Sequence, residues 1–222
     1  TGLTANVGYS AYYDNKFNPA FKTALNQYIY ENKMDGATIN ANLNYGLKLG
    51  SKGGFLNLTG VYSNVGKTYR QSLNQDFNDE YGLPVNIYRR AHGDGSLNAF
   101  GGFANAELPL TDHMRVYAFG GYNNKESDAY AFTRNFSAKP ERFITDDNGS
   151  YIPSDLIKES GDAETASADH YFNPHIQTHV KDFSFAFGLK GALKNNWDWD
   201  LSNVTGNNDF HFYGDKTFNA SL

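Results

Sequence analysis

The sequence predicts an all-β protein built on an antiparallel sheet, and three observations lead to this fold class. They are the composition, a two-residue period in the apolar positions, and an alternation of short and long connections. Aromatic residues make up 16% of the 222 residues and charged residues only 19%, beside 26 Asn and 22 Gly. A long-helix protein would draw about half of its residues from Ala, Glu, Lys, Leu and Arg, and a disordered chain would be poor in aromatic residues. The composition therefore excludes both of these classes.

Residues 37–49 show the two-residue period most clearly. The odd positions are all apolar, and no even position holds a large apolar residue. Because successive strand side chains point to opposite faces, this segment has one apolar and one polar face. It is longer than the roughly 9 to 11 residues that a tilted strand needs to cross a bilayer. The segment therefore predicts a membrane-crossing strand.

Six further segments predict strands with less regular patterns. They are residues 3–13, 54–66, 96–108, 113–123, 183–193 and 197–201. The first and the last two alternate clearly between apolar and polar residues. In the other three, Gly and Ala occur on both faces, so the pattern leaves their orientation open. The sequence thus predicts seven strands, with the short segment 217–222 as the possible start of an eighth.

The connections between these strands alternate strictly between long and short. In order they are residues 14–36, 51–53, 67–95, 109–112, 124–180 and 195–196. Soluble domains seldom contain three structureless loops longer than about 12 to 15 residues. Short turns at one rim and long loops at the other are typical of an outer-membrane β-barrel, with periplasmic turns and extracellular loops. We therefore predict an antiparallel transmembrane β-barrel segment of about seven or eight strands.

Aromatic residues lie where the two interfaces of such a barrel would be. Trp197 and Trp199 follow a short turn, and Tyr62 and Tyr122 lie near the opposite ends of their strands. Aromatic girdles border the apolar band of outer-membrane barrels on both sides. The even-numbered Asp198 and Asp200 would then face the lumen.

Several classes of function are excluded or disfavoured by what the sequence lacks. Without Cys there can be no disulfide, thiolate zinc site or thiol nucleophile. A net charge of -5 does not suggest a nucleic-acid partner. No common catalytic or phosphate-binding motif occurs, so we predict neither an enzyme nor a cofactor. No apolar run is long enough for a transmembrane helix.

Two stretches resemble a known family. The hairpin 107–113, running into 116–123, is similar to a barrel hairpin of TonB-dependent outer-membrane receptors. So is 196–202 followed by 217–222, whose final Asn219-Ala-Ser-Leu resembles the Asn-x-Ser-Leu stretch of receptors from the Bacteroidota. The similarity spans most of the chain. It is a general similarity of sequence character, which is less specific than a catalytic motif.

The resemblance implies a fold, a location and a set of partners. Such receptors are barrels of about 22 strands, plugged by an N-terminal domain that the inner-membrane TonB complex energises. They import scarce nutrients, here of the siderophore, glycan or peptide class, across the bacterial outer membrane. Expected partners are membrane lipid, lipopolysaccharide, the plug, the remaining barrel and a surface lipoprotein. Because residues 1–222 contain no recognisable plug, we expect them to be an internal part of the barrel.

Two alternatives from other classes stay open. One is a small autonomous outer-membrane barrel that acts as an adhesin or structural anchor, which heat-modifiable gel migration would identify. The other is a soluble β-sandwich binding module, in which a second sheet covers the apolar face. A monodisperse monomer expressed without detergent would favour the sandwich.

The connection 67–95 contains the candidate ligand-binding residues. They are Tyr69, Arg70, Arg89, Arg90 and His92. Arg side chains bind anionic groups through bidentate hydrogen bonds and stack on aromatic rings. This combination suits an anionic or catecholate ligand, although lipopolysaccharide phosphates or a simple folded loop would also account for it.

The connection 124–180 is acidic and contains a histidine pattern. Residues 125–180 hold ten acidic and five basic side chains, while the rest of the chain is balanced. We expect a solvated loop, with capture of a cationic ligand as the alternative. His170, His175 and His179 could suit Zn, Cu or Ni, but Pro174 argues against one helix that would present them together. We therefore predict no metal site here, and at 146–149 we predict a polar turn, since a calcium loop would need different spacing.

Overall fold

The computed structural model describes seven ranges of the chain, which are residues 1–13, 34–68, 93–132, 134–136, 139–152, 171–193 and 197–219. They contain nine strands and one 3-10 turn, Pro140–Arg142. The strands are β1 (Gly2–Tyr13), β2 (Met34–Leu49), β3 (Gly54–Val65), β4 (Ser96–Pro109), β5 (Met114–Tyr130), β6 (Arg134–Asn135), β7 (Tyr171–Phe172), β8 (His175–Leu193) and β9 (Trp197–Asp215). The all-β prediction is confirmed. None of the described residues belongs to a helix that is long and apolar enough to cross a membrane.

Seven strands form one antiparallel sheet in the order β1-β2-β3-β4-β5-β8-β9. Each strand pairs with its neighbour in the chain, apart from the separate pair β6–β7 between β5 and β8. The short connections 50–53, 110–113 and 194–196 therefore lie at one end of the sheet, called the turn end. The opposite ends of the strands, among them Tyr13, Val65 and Tyr130, lie at the other end of the sheet, called the loop end. In this arrangement β1 and β9 are edge strands and the sheet is open.

Three strands extend further towards the loop end than the sequence pattern predicted. β5 continues to Tyr130 and β8 begins at His175, so the predicted connection 124–180 is wrong at both of its ends. β9 likewise runs to Asp215, and not to residue 201. Residues 203–215 lack a regular alternation, since Val204, Phe210 and Phe212 are separated by polar stretches and all lie on one face of the sheet, but their backbone pairs with β8 throughout. Tyr122 therefore lies within a strand and does not end it.

The turn between β2 and β3 depends on two glycines. Gly50 and Gly53 have φ angles of 67° and 82°, a region that residues with a Cβ rarely adopt. The β4–β5 turn is closed differently, because the backbone N–H groups of Leu110 and Thr111 both donate to the carbonyl of Met114. These tight turns fix the register of the strands that they join.

Register gathers the apolar residues of neighbouring strands on one face. Tyr45 of β2 lies opposite Leu3 of β1 and Leu58 of β3. We call this the outward face and the opposite one the inward face. The large apolar residues of the outward face that stay exposed include Leu3, Val7, Tyr9, Ile39, Leu43, Tyr45, Leu58, Tyr62, Phe100, Leu108, Tyr122, Phe183, Phe185, Phe187, Leu193, Trp197 and Leu201.

The sheet has almost no buried core. Among the described residues only Phe143, Phe172 and Ala186 are buried hydrophobics. A water-soluble sheet normally hides its apolar face against another layer. Here the outward face remains uncovered by the described part of the chain.

Glycines within the strands make room for aromatic rings on the neighbouring strand. A Cβ at Gly188 would lie 2.7 Å from the ring of Tyr117, and one at Gly191 would lie 2.9 Å from the indole of Trp199. Each glycine thus permits a cross-strand ring to lie over the backbone. Such contacts compensate for the missing side chain of a strand glycine.

Part of the connection between β5 and β8 has a small aromatic cluster of its own. Phe143 and Phe172 are buried against each other with a centroid distance of 5.3 Å. Phe136, Tyr151 and Phe218 pack around them. The cluster ties this connection to the residues that follow β9.

The polar turn predicted at 146–149 is present. The Oδ1 atom of Asp146 accepts backbone N–H groups from Asn148 at 2.9 Å and Ser150 at 2.7 Å. The turn links Thr145 to Tyr151 through an isolated β-bridge. The Asp146 side chain therefore stabilises the turn by accepting hydrogen bonds from backbone N–H groups that follow it, as Asp commonly does in turns.

Candidate functional site

The residues predicted to bind ligand lie outside the described residues. This holds for Tyr69, Arg70, Arg89, Arg90 and His92, so their role stays a prediction. His170 of the predicted histidine pattern also lies outside. The site can be built from the sheet itself, whose two faces and two ends differ in chemistry.

An aromatic row crosses the outward face about midway along the longer strands. Tyr62 pairs with Phe100, and Tyr122 pairs with Phe183. The rings of Phe100 and Tyr122 are 6.2 Å apart, which connects the two pairs. Below this row the outward residues of β3, β4, β5 and β8 lack polar side chains, whereas β9 carries Asn203 and Thr205 there. Above the row, towards the loop end, the outward residues of β5 and β8 are mostly polar.

A second aromatic group lies on the outward face at the turn end. Trp197 lies opposite Leu193, and Trp199 lies opposite Gly191. On β8 the apolar stretch runs from Phe183 to Leu193, which is roughly 33 Å of strand at about 3.3 Å per residue. With a strand tilt near 40°, this stretch would span about 25 Å, the height of the apolar band in outer-membrane barrels.

Above the aromatic row, three cross-strand rows on the outward face of β5, β8 and β9 form a polar surface. The rows are Glu126–His179–His211, Asp128–Gln177–Tyr213 and Tyr130–His175–Asp215. We call these nine residues the His–carboxylate patch. It gathers three imidazoles and three carboxylates, and all of them are brought together by register.

Asp128 is the central carboxylate of the patch, and three neighbouring side chains form ion pairs or hydrogen bonds with it. Lys67, just beyond β3, forms an ion pair with it. His175 Nδ1 lies 3.0 Å from its Oδ1, and Gln177 donates to its Oδ2 at 2.8 Å. Partial burial alone would raise the pKa of the Asp128 carboxyl, but the hydrogen bonds from Lys67, Gln177 and His175 outweigh it, and the pKa lies below its ordinary value. Asp128 is therefore an ionised anchor that joins three strands.

Asp128, His175 and Asp215 could together hold a metal ion on distance alone. Their ligand atoms all lie within 4.8 Å of one another. However, the Lys67 ammonium contacts Asp128 and lies 3.3 Å from His175 Nδ1. It also lies 5.0 Å from the centre of the Tyr130 ring. The Lys67 ammonium therefore already provides a positive charge among these three residues, and together they form an ion-pair cluster.

His179 and His211 form the second feature of the patch. They lie directly opposite each other on β8 and β9. The Tyr213 ring contacts both imidazoles, at centroid distances of 5.0 Å and 6.0 Å. The Nε2 atom of His211 lies 2.7 Å from Oδ1 of Asp209.

The spacing of His170, His175 and His179 in the sequence accounts for only part of this arrangement. His175 and His179 lie on one face of β8, separated by roughly 13 Å at about 3.3 Å per residue, which is too far to share an ion. The neighbour of His179 is His211, which the spacing did not include. Only the β8–β9 register could have identified this pair.

The inward face carries a charged network near the turn end. Glu107 accepts from Arg115 at 2.7 Å and pairs with Lys190 at 2.6 Å. The Tyr117 hydroxyl donates to Asp200 at 2.8 Å. The structure thus places Asp200 on the inward face, where the sequence predicted it. The network crosses four strands.

Further along the inward face, amides and hydroxyls bond to one another across β2 and β3. Asn44 and Asn57 exchange hydrogen bonds of 2.9 Å and 3.0 Å, and Asn44 also donates to Thr59 at 2.7 Å. Exposed apolar residues interrupt this polar surface; they are Phe55, Phe103, Phe119, Ile176, Val204, Phe210 and Phe212. The inward face is therefore of mixed polarity, with hydrogen-bonding groups that suit water and polar solutes, whereas the lower outward face suits an apolar environment.

Comparison with known proteins yields no assignment. No protein family, no curated protein and no solved structure matches this chain.

Proposed function

We propose that this chain forms part of the wall of a β-barrel in the bacterial outer membrane. The observation that carries the proposal is the apolar band on the outward face of β1 to β5 and β8, which the described residues leave uncovered and which β9 continues only at Trp197, Trp199 and Leu201. Polar residues lie above this band and on much of the inward face. A bilayer is the surrounding that such a distribution of side chains matches.

Energetics favour lipid over water as the neighbour of the band. Burying a large apolar side chain contributes roughly 1.5–3 kcal/mol, and at least 17 such residues of the outward face are exposed. A patch of this extent in water would promote aggregation. Within a membrane, each interior strand already has its backbone groups paired with both neighbours.

The unpaired edges of β1 and β9 indicate that further strands of the barrel wall lie beside them. Unpaired edges do not occur in the hydrocarbon region of a membrane, so β1 and β9 need partner strands there. We propose that the remainder of a larger barrel supplies them. Intact-mass measurement on the native polypeptide from outer-membrane fractions tests this, and a polypeptide that ends at Leu222 would contradict it.

We further propose that the barrel is a TonB-dependent receptor that imports a scarce nutrient of the siderophore, glycan or peptide class. The hairpin resemblance, the long connections at one end and the hydrogen-bonding inward face support this class. The loops would select the ligand, while a plug and the TonB complex would drive import. A surface lipoprotein is a further partner of this proposal.

The two tryptophans provide a direct test of the lipid-facing wall. Both lie on the outward face, and Trp197 is 72% exposed. In the native polypeptide that contains this chain, reconstituted in bilayers with Trp197 and Trp199 kept as its only tryptophans, brominated lipids should quench most of the Trp fluorescence, and aqueous iodide should quench little. Strong iodide quenching without any effect of brominated lipid would contradict the proposal.

Transport needs a separate test in cells. Uptake of labelled siderophores, oligosaccharides and peptides should be measured with the native protein present, deleted, or deprived of the inner-membrane energy complex. Loss of one uptake activity in both impaired strains is the expected result. Uptake that continues without the energy complex would exclude the receptor class, although it would leave the wall proposal intact.

A further inference from the structure

We propose that His179 and His211 chelate a divalent transition-metal ion on the outward face at the loop end. This site lies outside the apolar band and does not depend on the transport function. Nothing in the sequence spacing joins these residues, which are 32 positions apart. The β8–β9 register brings them face to face.

The pairing geometry suits a shared ion. Directly opposite residues of antiparallel strands have Cβ atoms about 4.5–5.5 Å apart. Two imidazoles that start from such positions can converge on one ion at the usual metal–nitrogen distance of about 2.0–2.1 Å. Tyr213 packs against both rings and limits their rotation, so less conformational entropy is lost on binding.

Asp209 has the role of an orienting carboxylate. Its Oδ1 lies 2.7 Å from His211 Nε2, and an N–H there leaves the lone pair on Nδ1. Metal-binding histidines commonly donate their second ring N–H to a carboxylate, which fixes the tautomer. The arrangement at His211 therefore matches that of a histidine prepared to bind metal through Nδ1.

The two imidazoles are the protein ligands of this site. Glu126 lies directly opposite His179 on the side away from His211, but the ligand atoms of Glu126, His179 and His211 do not all lie within 4.8 Å of one another, so solvent would complete the coordination. Imidazole suits Zn²⁺, Cu²⁺ or Ni²⁺, whereas Ca²⁺ and Mg²⁺ prefer sets composed of oxygen ligands. The neighbouring Asp128–His175–Asp215 trio is the competing location, but the Lys67 ammonium already lies within it.

The experiment uses the full chain in detergent micelles, carrying no polyhistidine tag. Titration with Cu²⁺ followed by electron paramagnetic resonance should show one equivalent with nitrogen hyperfine splitting from two imidazoles, and calorimetry with Zn²⁺ gives the affinity. His179→Asn and His211→Asn should each weaken binding at least tenfold. Asp209→Asn should weaken it by about tenfold to a hundredfold, which is the usual effect of losing an orienting carboxylate.

Two matched variants separate this site from general histidine binding. His113→Asn changes an imidazole at the turn end, and His175→Asn changes one within the ion-pair cluster. Both should leave the affinity unchanged. Near-identical circular dichroism spectra of all variants would show that the strands persist. The inference is overturned if wild-type chain binds no Zn²⁺ below millimolar concentration, or if His175→Asn removes binding while His179→Asn and His211→Asn retain it.

Discussion

The two halves of strand β8 share one backbone ladder and one outward face, yet they carry opposite chemistry. Towards the turn end this face presents Phe183, Phe185 and Phe187, and towards the loop end it presents His175, Gln177 and His179. Backbone pairing is continuous across the boundary, so hydrogen bonding does not distinguish the halves. What differs is the side-chain chemistry of the two halves. Under the proposed membrane location, the comparison teaches that a strand can be longer than the membrane it crosses, and that its side chains mark where the crossing ends.

A charge placed within the apolar half should have the largest effect. Phe185→Arg puts a guanidinium near the middle of the proposed band, where the cost is about 2–4 kcal/mol for a lipid-facing residue. Urea unfolding of the native polypeptide that contains this chain, reconstituted in lipid vesicles, would measure the loss. Ser184→Arg is the matched control, because it lies one residue away at the same depth on the inward face. We expect it to stay within about 0.5 kcal/mol of wild type; equal losses for both variants would contradict the assignment of faces.

In the polar half, Asp128 should matter next most. Asp128→Asn removes the ionic partner of Lys67 and weakens the bonds from His175 and Gln177. A partly buried cation that loses its partner typically costs about 1–2 kcal/mol. Hydrogen exchange should therefore accelerate several-fold at the loop ends of β5, β8 and β9, and remain unchanged at the turn end. Glu126→Gln, two residues away on the same face, should have little effect.

Asp128 should also make the stability of the loop end depend on pH, while the turn end should show no such dependence. The pKa of Asp128 lies below its ordinary value of 3.8, so the unfolded state binds its proton more readily than the folded state. Its contribution to stability is therefore complete above pH 3.8 and is lost as the pH falls through the lowered pKa. Wild type and Asp128→Asn should converge in acid. A difference between them that persists at the lowest pH would show that Asp128 acts through packing and not through charge.

Sequence reasoning predicted the apolar half well and the polar half poorly, and the contrast has a physical cause. Side chains that alternate between two media produce a visible period, as in residues 37–49. Above the band the outward face of β9 is mostly polar, while Phe210 and Phe212 lie on its inward face, so apolar residues no longer mark the outward face although the strand continues to Asp215. Contacts such as that between His179 and His211 depend on register, which a single strand's pattern cannot give. The candidate ligand residues between 69 and 92 stay predictions, because they lie outside the described residues.

Strand β9 does not follow the division into an apolar and a polar half that β8 shows. It therefore provides the most sensitive test of the proposed lipid-facing band. Thr205 lies directly opposite Phe185 on the outward face, at the level where the other strands are apolar. If this face of β9 meets lipid, Thr205→Val should stabilise the chain by about 0.5–1 kcal/mol, because a hydroxyl exposed to hydrocarbon is unfavourable. Vesicle unfolding measures the gain, and Ser202→Val, on the inward face, is the control that should show none. A loss of stability at Thr205 would mean that its hydroxyl bonds to a protein neighbour, and the lipid-facing band would then end at β8.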